Sequence, residues 1–423
     1  MVLPDVAALR QRTIDRHLLD SGGWRPLTVG EQQAQLHPFE VCLLNASRDG
    51  RLASRASRAL AEEACVARHA NRTGEGYIAS CGVGTAAVRP GHNTRRGACL
   101  HAPALPLHER RTLLSRFDSV PPPPRGYGSH LVRAMRRLVS SRLKLDVLGD
   151  SLARQATAAA LCGLQRSLPS PKSAARAVKH IEHSVMGEAG WDQNVGGGGG
   201  SGGGRIDAAM GPVVEAARRR GGGVIMVVMG AHFNEPQRAA WRRAVRRAVS
   251  NLEAYAASCN RCVGILALTP TQHFPGGGGG GYSAAAFASQ SSGTERAWHL
   301  NDTSLPWRVP YPCRPLERAT AASSVASSAA HVLYAVDQGG GSGASSNAWR
   351  PSDARDAVRE LKARHVILVP LDRVTRGAWD SHFGFGKFQG RGMDCTHFCN
   401  GPFLWEPLWW ALAVANAPRT AVD

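Results

Sequence analysis

The chain has 423 residues, 43% of them apolar, and a formal net charge of +19. That length and apolar content exclude wholesale disorder and suffice for one large domain with an appended region, or for two domains. No run is long and apolar enough to span a membrane. The charge is almost wholly arginine, since only Lys144, Lys172, Lys179, Lys362 and Lys387 are lysines. The arginines spread over helical stretches such as RRAVRRAV, without interleaved aromatics. They read as solvated faces that suit an acidic polymer, not as a nucleic-acid stripe.

Residues 1–135 hold Cys42, Cys65, Cys81 and Cys99, many Arg and Pro, and little periodicity. The opening MVLPDVAALRQRTIDRHLLD has scattered charges and no apolar h-region, so it does not read as a secretory signal. The run SVPPPPRGYG, 119–128, suits a boundary. The chain therefore divides into an irregular region, 1–135, and a regular one, 136–423.

From residue 136 strands and helices alternate. SRLKLDVLGD is a buried strand, and SLARQATAAALCGLQRSL a helix. DAAMGPVVEAARRRGG is helical, GVIMVVMG a strand, and EPQRAAWRRAVRRAVSNLEAYAASC a long amphipathic helix. CVGILALTP is a strand, SDARDAVRELKAR a helix and HVILVPL a strand. Short apolar strands alternating with helices predict an α/β fold, a parallel sheet covered on both faces. Three Gly-rich runs, 196–204, 275–282 and 339–346, match no phosphate-binding loop and read as loop expansions.

Ten cysteines permit full pairing, and N-x-S/T sequons stand at Asn45, Asn71 and Asn301. Together they tilt toward an oxidising lumen and an N-terminus that is incomplete. Cys259 and Cys262 form a lone CxxC, read as a disulfide or free thiols, not zinc or redox ligands.

Parallel-sheet enzymes carry reactive groups just beyond the carboxyl ends of strands. Ser151, in KLDVLGDSLARQ, lies there. It is either the N-cap of the following helix or a nucleophile beside a helix N-terminus that favours an oxyanion. Near the other end, MDCTHFCNGPFLWEPLWWAL places Asp394 and His397 three apart, on one turn before an aromatic-rich helix. A serine needs a base to take its proton, and the base needs a carboxylate to fix its tautomer. His273 reads as structural or as a substrate rim. Asp380 and His382 form a weaker acid/base pair. Trp405, Trp409 and Trp410 read as core.

Together, GDSLARQ…LC and the late DCTHFC resemble the PC-esterase family of the SGNH/GDSL hydrolase superfamily, which includes the plant trichome-birefringence-like polysaccharide O-acetyltransferases. TPTQHFPGGGGGGYS, YPCRPL and WDSHF fit in matching order, so the resemblance covers roughly 136–415 and none of 1–135. It implies a three-layer α/β/α SGNH-hydrolase-like sheet beside the irregular N-terminal region. It implies Ser151 as nucleophile, His397 as base and Asp394 as its orienting carboxylate. Gly149 and Asp150 complete the turn, and Gly230 joins the Ser151 N–H at the oxyanion. Val228 stands where relatives often have Asn, so Asn234, His232 or Gln155 would substitute; Gln155 itself replaces an Asn of many relatives. Arg154 joins the substrate-binding set. Cys395 and Cys399, flanking His397, are structural in this resemblance. The implied activity is acetyl transfer through an acyl-enzyme to polysaccharide hydroxyls, without cofactor or metal, in the Golgi lumen or after secretion. The donor is open, no nucleic acid takes part, and no span crosses a membrane. An esterase and a non-catalytic carbohydrate-binding relative are the alternatives.

Overall fold

In the computed structural model, the residues described are 6–20, 23–26, 115–117, 129–168, 171–185, 204–231, 233, 237–273, 313, 334–335, 349–378, 381–388, 391–398 and 405–417. Five parallel strands form the central sheet: β3 (Leu145–Gly149), β4 (Ile181–Val185), β5 (Gly223–Val228), β6 (Cys262–Ala267) and β8 (Val366–Val369). Their spatial order is β4-β3-β5-β6-β8. Two smaller antiparallel sheets stand beside it. One orders β2 (Ser115–Phe117), β1 (Gly23–Pro26) and β7 (Tyr334–Ala335). The other pairs β9 (His382–Phe388) with β10 (Arg391–Phe398).

The central strands are continuous apolar runs because both of their faces are covered. Leu145, Val147, Val224, Met226, Val228, Ile265 and Val369 point to one apolar cluster. Helices α1 (Val6–Asp15), α2 (Ser129–Ser140), α3 (Ser151–Ser167) and α9 (Glu406–Ala415) complete it, with Trp405, Trp409 and Trp410 buried as core. Leu148, Ile225, Val227, Leu266 and Val366 point to the opposite cluster. There they meet α5 (Gly204–Arg219), α6 (Arg238–Ala256) and α7 (Trp349–Glu360). The expected alternation of strands and helices is therefore present. It also includes α4 (Pro171–Val178) with β4, and a short α8 (Leu371–Val374), which carried no sequence signal.

Part of the region before residue 136 packs with the central sheet. Ile14, Leu18 and Trp24 lie in the first apolar cluster, and α2 begins at Ser129. Helix α1 also closes the β8 edge of the sheet. The Leu368 N–H donates to Gln11 Oε1 at 2.8 Å, and Gln11 Nε2 donates to the Leu368 carbonyl at 3.0 Å. A side-chain amide here replaces a missing strand neighbour. No helix among the described residues is long and apolar enough to cross a membrane.

The chain passes from β3 to β4 on one side and returns to β5 on the other. The order reverses between β3 and β5, and open α/β sheets bind ligands in the crevice beyond the carboxyl ends of such strands. Ser151 follows β3 there.

Candidate functional site

Gly149 ends β3 with φ +152°, and a Cβ on it would lie 1.8 Å from the Val228 carbonyl oxygen. Only glycine lets β3 and β5 approach so closely before the turn. The turn is then fixed by Asp150, not by Ser151. Asp150 is the N-cap of α3: its Oδ1 accepts from the Leu152 N–H at 3.0 Å. Its Oδ2 accepts from the Gly230 and Ala231 N–H groups, each at 2.9 Å. One buried carboxylate thus caps the helix and ties β3 to the loop after β5. Ser151 is therefore not the N-cap, the first of the two roles open to it in the sequence; it opens α3 at 3% exposure.

The same geometry corrects the role expected of Gly230. Its N–H donates to Asp150 and so does not face an oxyanion. Its glycine identity has a different cause: at φ +115° a Cβ would meet Thr269 Oγ1 at 2.3 Å and the Trp241 ring. Val228 is fully buried among apolar side chains and brings no donor. Gln155 is not an oxyanion donor either. Its Nε2 donates to the Phe398 carbonyl at 3.0 Å, and its Oε1 accepts the Phe398 N–H at 3.4 Å. Asn234, His232, Asp380, Cys399 and the Arg154 side chain lie outside the described residues.

Asp394 and His397 lie on β10, not on a turn before α9. Only their main chain is described. Pairing with β9 is irregular there: Asp394 faces Gly384 and Phe398 faces His382, four steps on β10 against two on β9. Such a bulge removes the strict alternation that sets positions i and i+3 on opposite faces, and bulges recur beside active sites.

The residues around His397 are fastened to the loops at the switch point. Cys395 is bonded to Cys313, both fully buried, and its carbonyl accepts the His273 N–H at 3.1 Å. Thr396 Oγ1 accepts from Gln272 Nε2 at 2.8 Å, and that nitrogen also donates to the Ala231 carbonyl at 2.9 Å. Buried Arg350 donates to Gln272 Oε1 at 2.7 Å, which fixes the way the Gln272 amide faces. Phe398 is held by Gln155, one helical turn beyond Ser151. The structure therefore ties the residues on either side of His397 to α3 and to the segment after β6, which Gln272 joins to the loop after β5. Gln272 and Thr396 were missed in the sequence. TQHF drew attention only to its histidine, and an amide that links two loops has no local pattern.

His273 is fully buried beneath this segment. Its Nε2 donates to the Arg376 carbonyl at 2.8 Å, so in the neutral ring Nδ1 accepts from His382 Nε2, 2.6 Å away. Burial lowers its pKa to about 4; the Arg376 carbonyl bond opposes that and the Arg376 charge adds to it. Both ring nitrogens of His273 are thus engaged inside the protein. The lone CxxC is a disulfide, Cys259–Cys262. Among the described residues no three His, Cys, Asp or Glu side chains gather as a metal site. No protein-family model, curated protein or solved structure matches this chain, so the site is read from its own residues.

Proposed function

We propose that the chain is a serine-dependent O-acetyltransferase with a three-layer α/β/α SGNH-hydrolase-like fold, acting on polysaccharide hydroxyls. Ser151 Oγ attacks an acetyl ester while His397, oriented by Asp394, takes its proton. The carbonyl oxygen becomes an oxyanion at the N-terminus of α3, where the Ser151 N–H and the helix dipole favour negative charge. Collapse expels the donor's alkoxide, which takes the proton from His397. An acceptor sugar hydroxyl then loses its proton to His397 and attacks the acetyl-serine; collapse breaks the bond to Ser151 Oγ, which takes that proton back from His397 as the acetylated acceptor leaves. Gly149, Asp150 and Gly230 build the turn that presents Ser151. The reaction draws on no cofactor, and its acetyl donor is left open.

One observation carries this reading: Cys395, Thr396 and Phe398 around His397 are all anchored to the loops and helix surrounding Ser151. The resemblance of GDSLARQ and DCTHFC to PC-esterases points to the same pair. The disulfides Cys259–Cys262 and Cys313–Cys395 fit an oxidising compartment such as the Golgi lumen or the cell exterior. The arginine-rich surface suits an acidic glycan.

The test is acetate release from acetylated xylan or p-nitrophenyl acetate, with and without a glycan acceptor. Ser151→Ala should lower kcat/KM by at least about 10³-fold. Acetyl transfer to the acceptor at the expense of free acetate separates transferase from esterase. A second reading, a non-catalytic carbohydrate-binding relative, is favoured by the commitment of the Gly230 N–H to Asp150. Glycan binding by a protein with no acetyl turnover would select it.

A further inference from the structure

We infer that Gln155 is a positioning residue whose side-chain amide docks the His397 segment of β10 onto α3, the helix that begins with Ser151. The inference rests on the roles proposed above for Ser151 and His397. Both hydrogen-bonding functions of the Gln155 amide go to one residue, Phe398, the chain neighbour of His397. Gln155 lies four positions after Ser151 on α3. Positions i and i+4 share a helix face with Cβ atoms about 5–6 Å apart. The strand end is therefore docked beside the serine.

Hairpin pairing alone does not locate this segment, because the β9–β10 register is irregular between Asp394 and Phe398. The other anchors, Cys395 to Cys313 and Thr396 to Gln272, tie β10 to loops. Gln155 ties it to the helix bearing Ser151. The same device appears at the sheet edge, where Gln11 grips both main-chain groups of Leu368. A glutamine amide has one donor and one acceptor side, spaced to mimic a paired strand. Gln155 thus acts through β10 and touches no reacting atom. A misplacement of about 1 Å between reacting groups can cost on the order of 100-fold in rate.

The test combines hydrogen exchange with steady-state hydrolysis of p-nitrophenyl acetate in Gln155→Ala, Gln155→Glu and Ser151→Ala. In Gln155→Ala, exchange over 391–398 should rise about tenfold or more while exchange over β5 stays unchanged. Its kcat should fall roughly 10–100-fold with KM within about twofold. Gln155→Glu should behave alike near pH 7. Its kcat relative to wild type should recover only toward about pH 4, where a glutamate of ordinary pKa, about 4.3, becomes protonated and again offers one donor and one acceptor. A merely structural role would not give that recovery at constant KM. Unchanged exchange in Gln155→Ala overturns the inference. So does faster exchange with unchanged kcat in a protein whose turnover Ser151→Ala abolishes. Turnover that survives Ser151→Ala contradicts the acyl-enzyme reading instead. The docking is then decided by exchange alone: faster exchange upholds it and unchanged exchange overturns it.

Discussion

Asp150 gathers three main-chain N–H groups, from Leu152, Gly230 and Ala231, into a site only 3% exposed. Removing the carboxylate strips the α3 cap and leaves two buried amides without their acceptor. An N-cap is worth about 1 kcal/mol, and an unsatisfied buried amide costs about 1–3 kcal/mol. Asp150→Ala should therefore lower unfolding stability by about 3–7 kcal/mol in urea titration. Ser151→Ala, which deletes one hydroxyl, should cost far less. Equal losses in the two variants would contradict the assignment of the cap to Asp150. Ser151 and His397 stand out as candidates in the sequence because Gly-Asp-Ser and Asp-x-x-His are local patterns. The cap's second function was not, because its partners lie 80 and 81 positions away in the chain.

At the scale of elements, the β9–β10 hairpin depends on long-range ties. The sequences HFGFGKF and RGMDCTHF contain glycines and a bulged register, both of which weaken a strand. The Cys313–Cys395 bond closes a separation of 82 residues. Loop-closure entropy assigns such a bond roughly 4–5 kcal/mol, against roughly 2 kcal/mol for the short Cys259–Cys262 loop. Cys313→Ser with Cys395→Ser should lower stability more than Cys259→Ser with Cys262→Ser, and should lower acetyl turnover as well. Thermal unfolding and turnover of the two double variants check this; the reverse ranking would count against it. The strands β3, β5, β6 and β8 were legible because burial on both faces makes them unbroken apolar runs. The hairpin was not, because its position is set by a disulfide and by glutamine amides from distant segments.

For the whole molecule, two buried groups push the pH dependence of stability in opposite directions. His273 has its folded pKa lowered to about 4 from 6.5, chiefly by burial. Folding therefore favours its neutral form, and that contribution, full above 6.5, is lost as pH falls toward 4. Asp146, on β3, has its pKa raised to about 6 from 3.8, because burial outweighs the attraction of Arg220. Folding favours its protonated form, a contribution full below 3.8 and lost as pH rises through 6. Between about pH 4 and 6 the two offset each other. Asp146→Asn should steepen the loss of stability on acidification, and His273→Gln should flatten it. Urea midpoints across that window check both, and parallel profiles for the two variants would contradict it. The N-terminus also belongs to this scale. Nothing periodic marked residues 6–20 in the sequence, yet α1 closes the sheet edge and contributes Ile14 to the core. Its partners were hidden because they lie more than 350 residues downstream.

The central claim is that Ser151 carries the acetyl group. Mass spectrometry of the protein quenched during turnover of p-nitrophenyl acetate tests it most directly. An acetyl adduct is expected on the peptide containing Ser151, absent in Ser151→Ala, and scarce in His397→Ala, which lacks the proposed base. An adduct on another residue, or full turnover by Ser151→Ala, would contradict it.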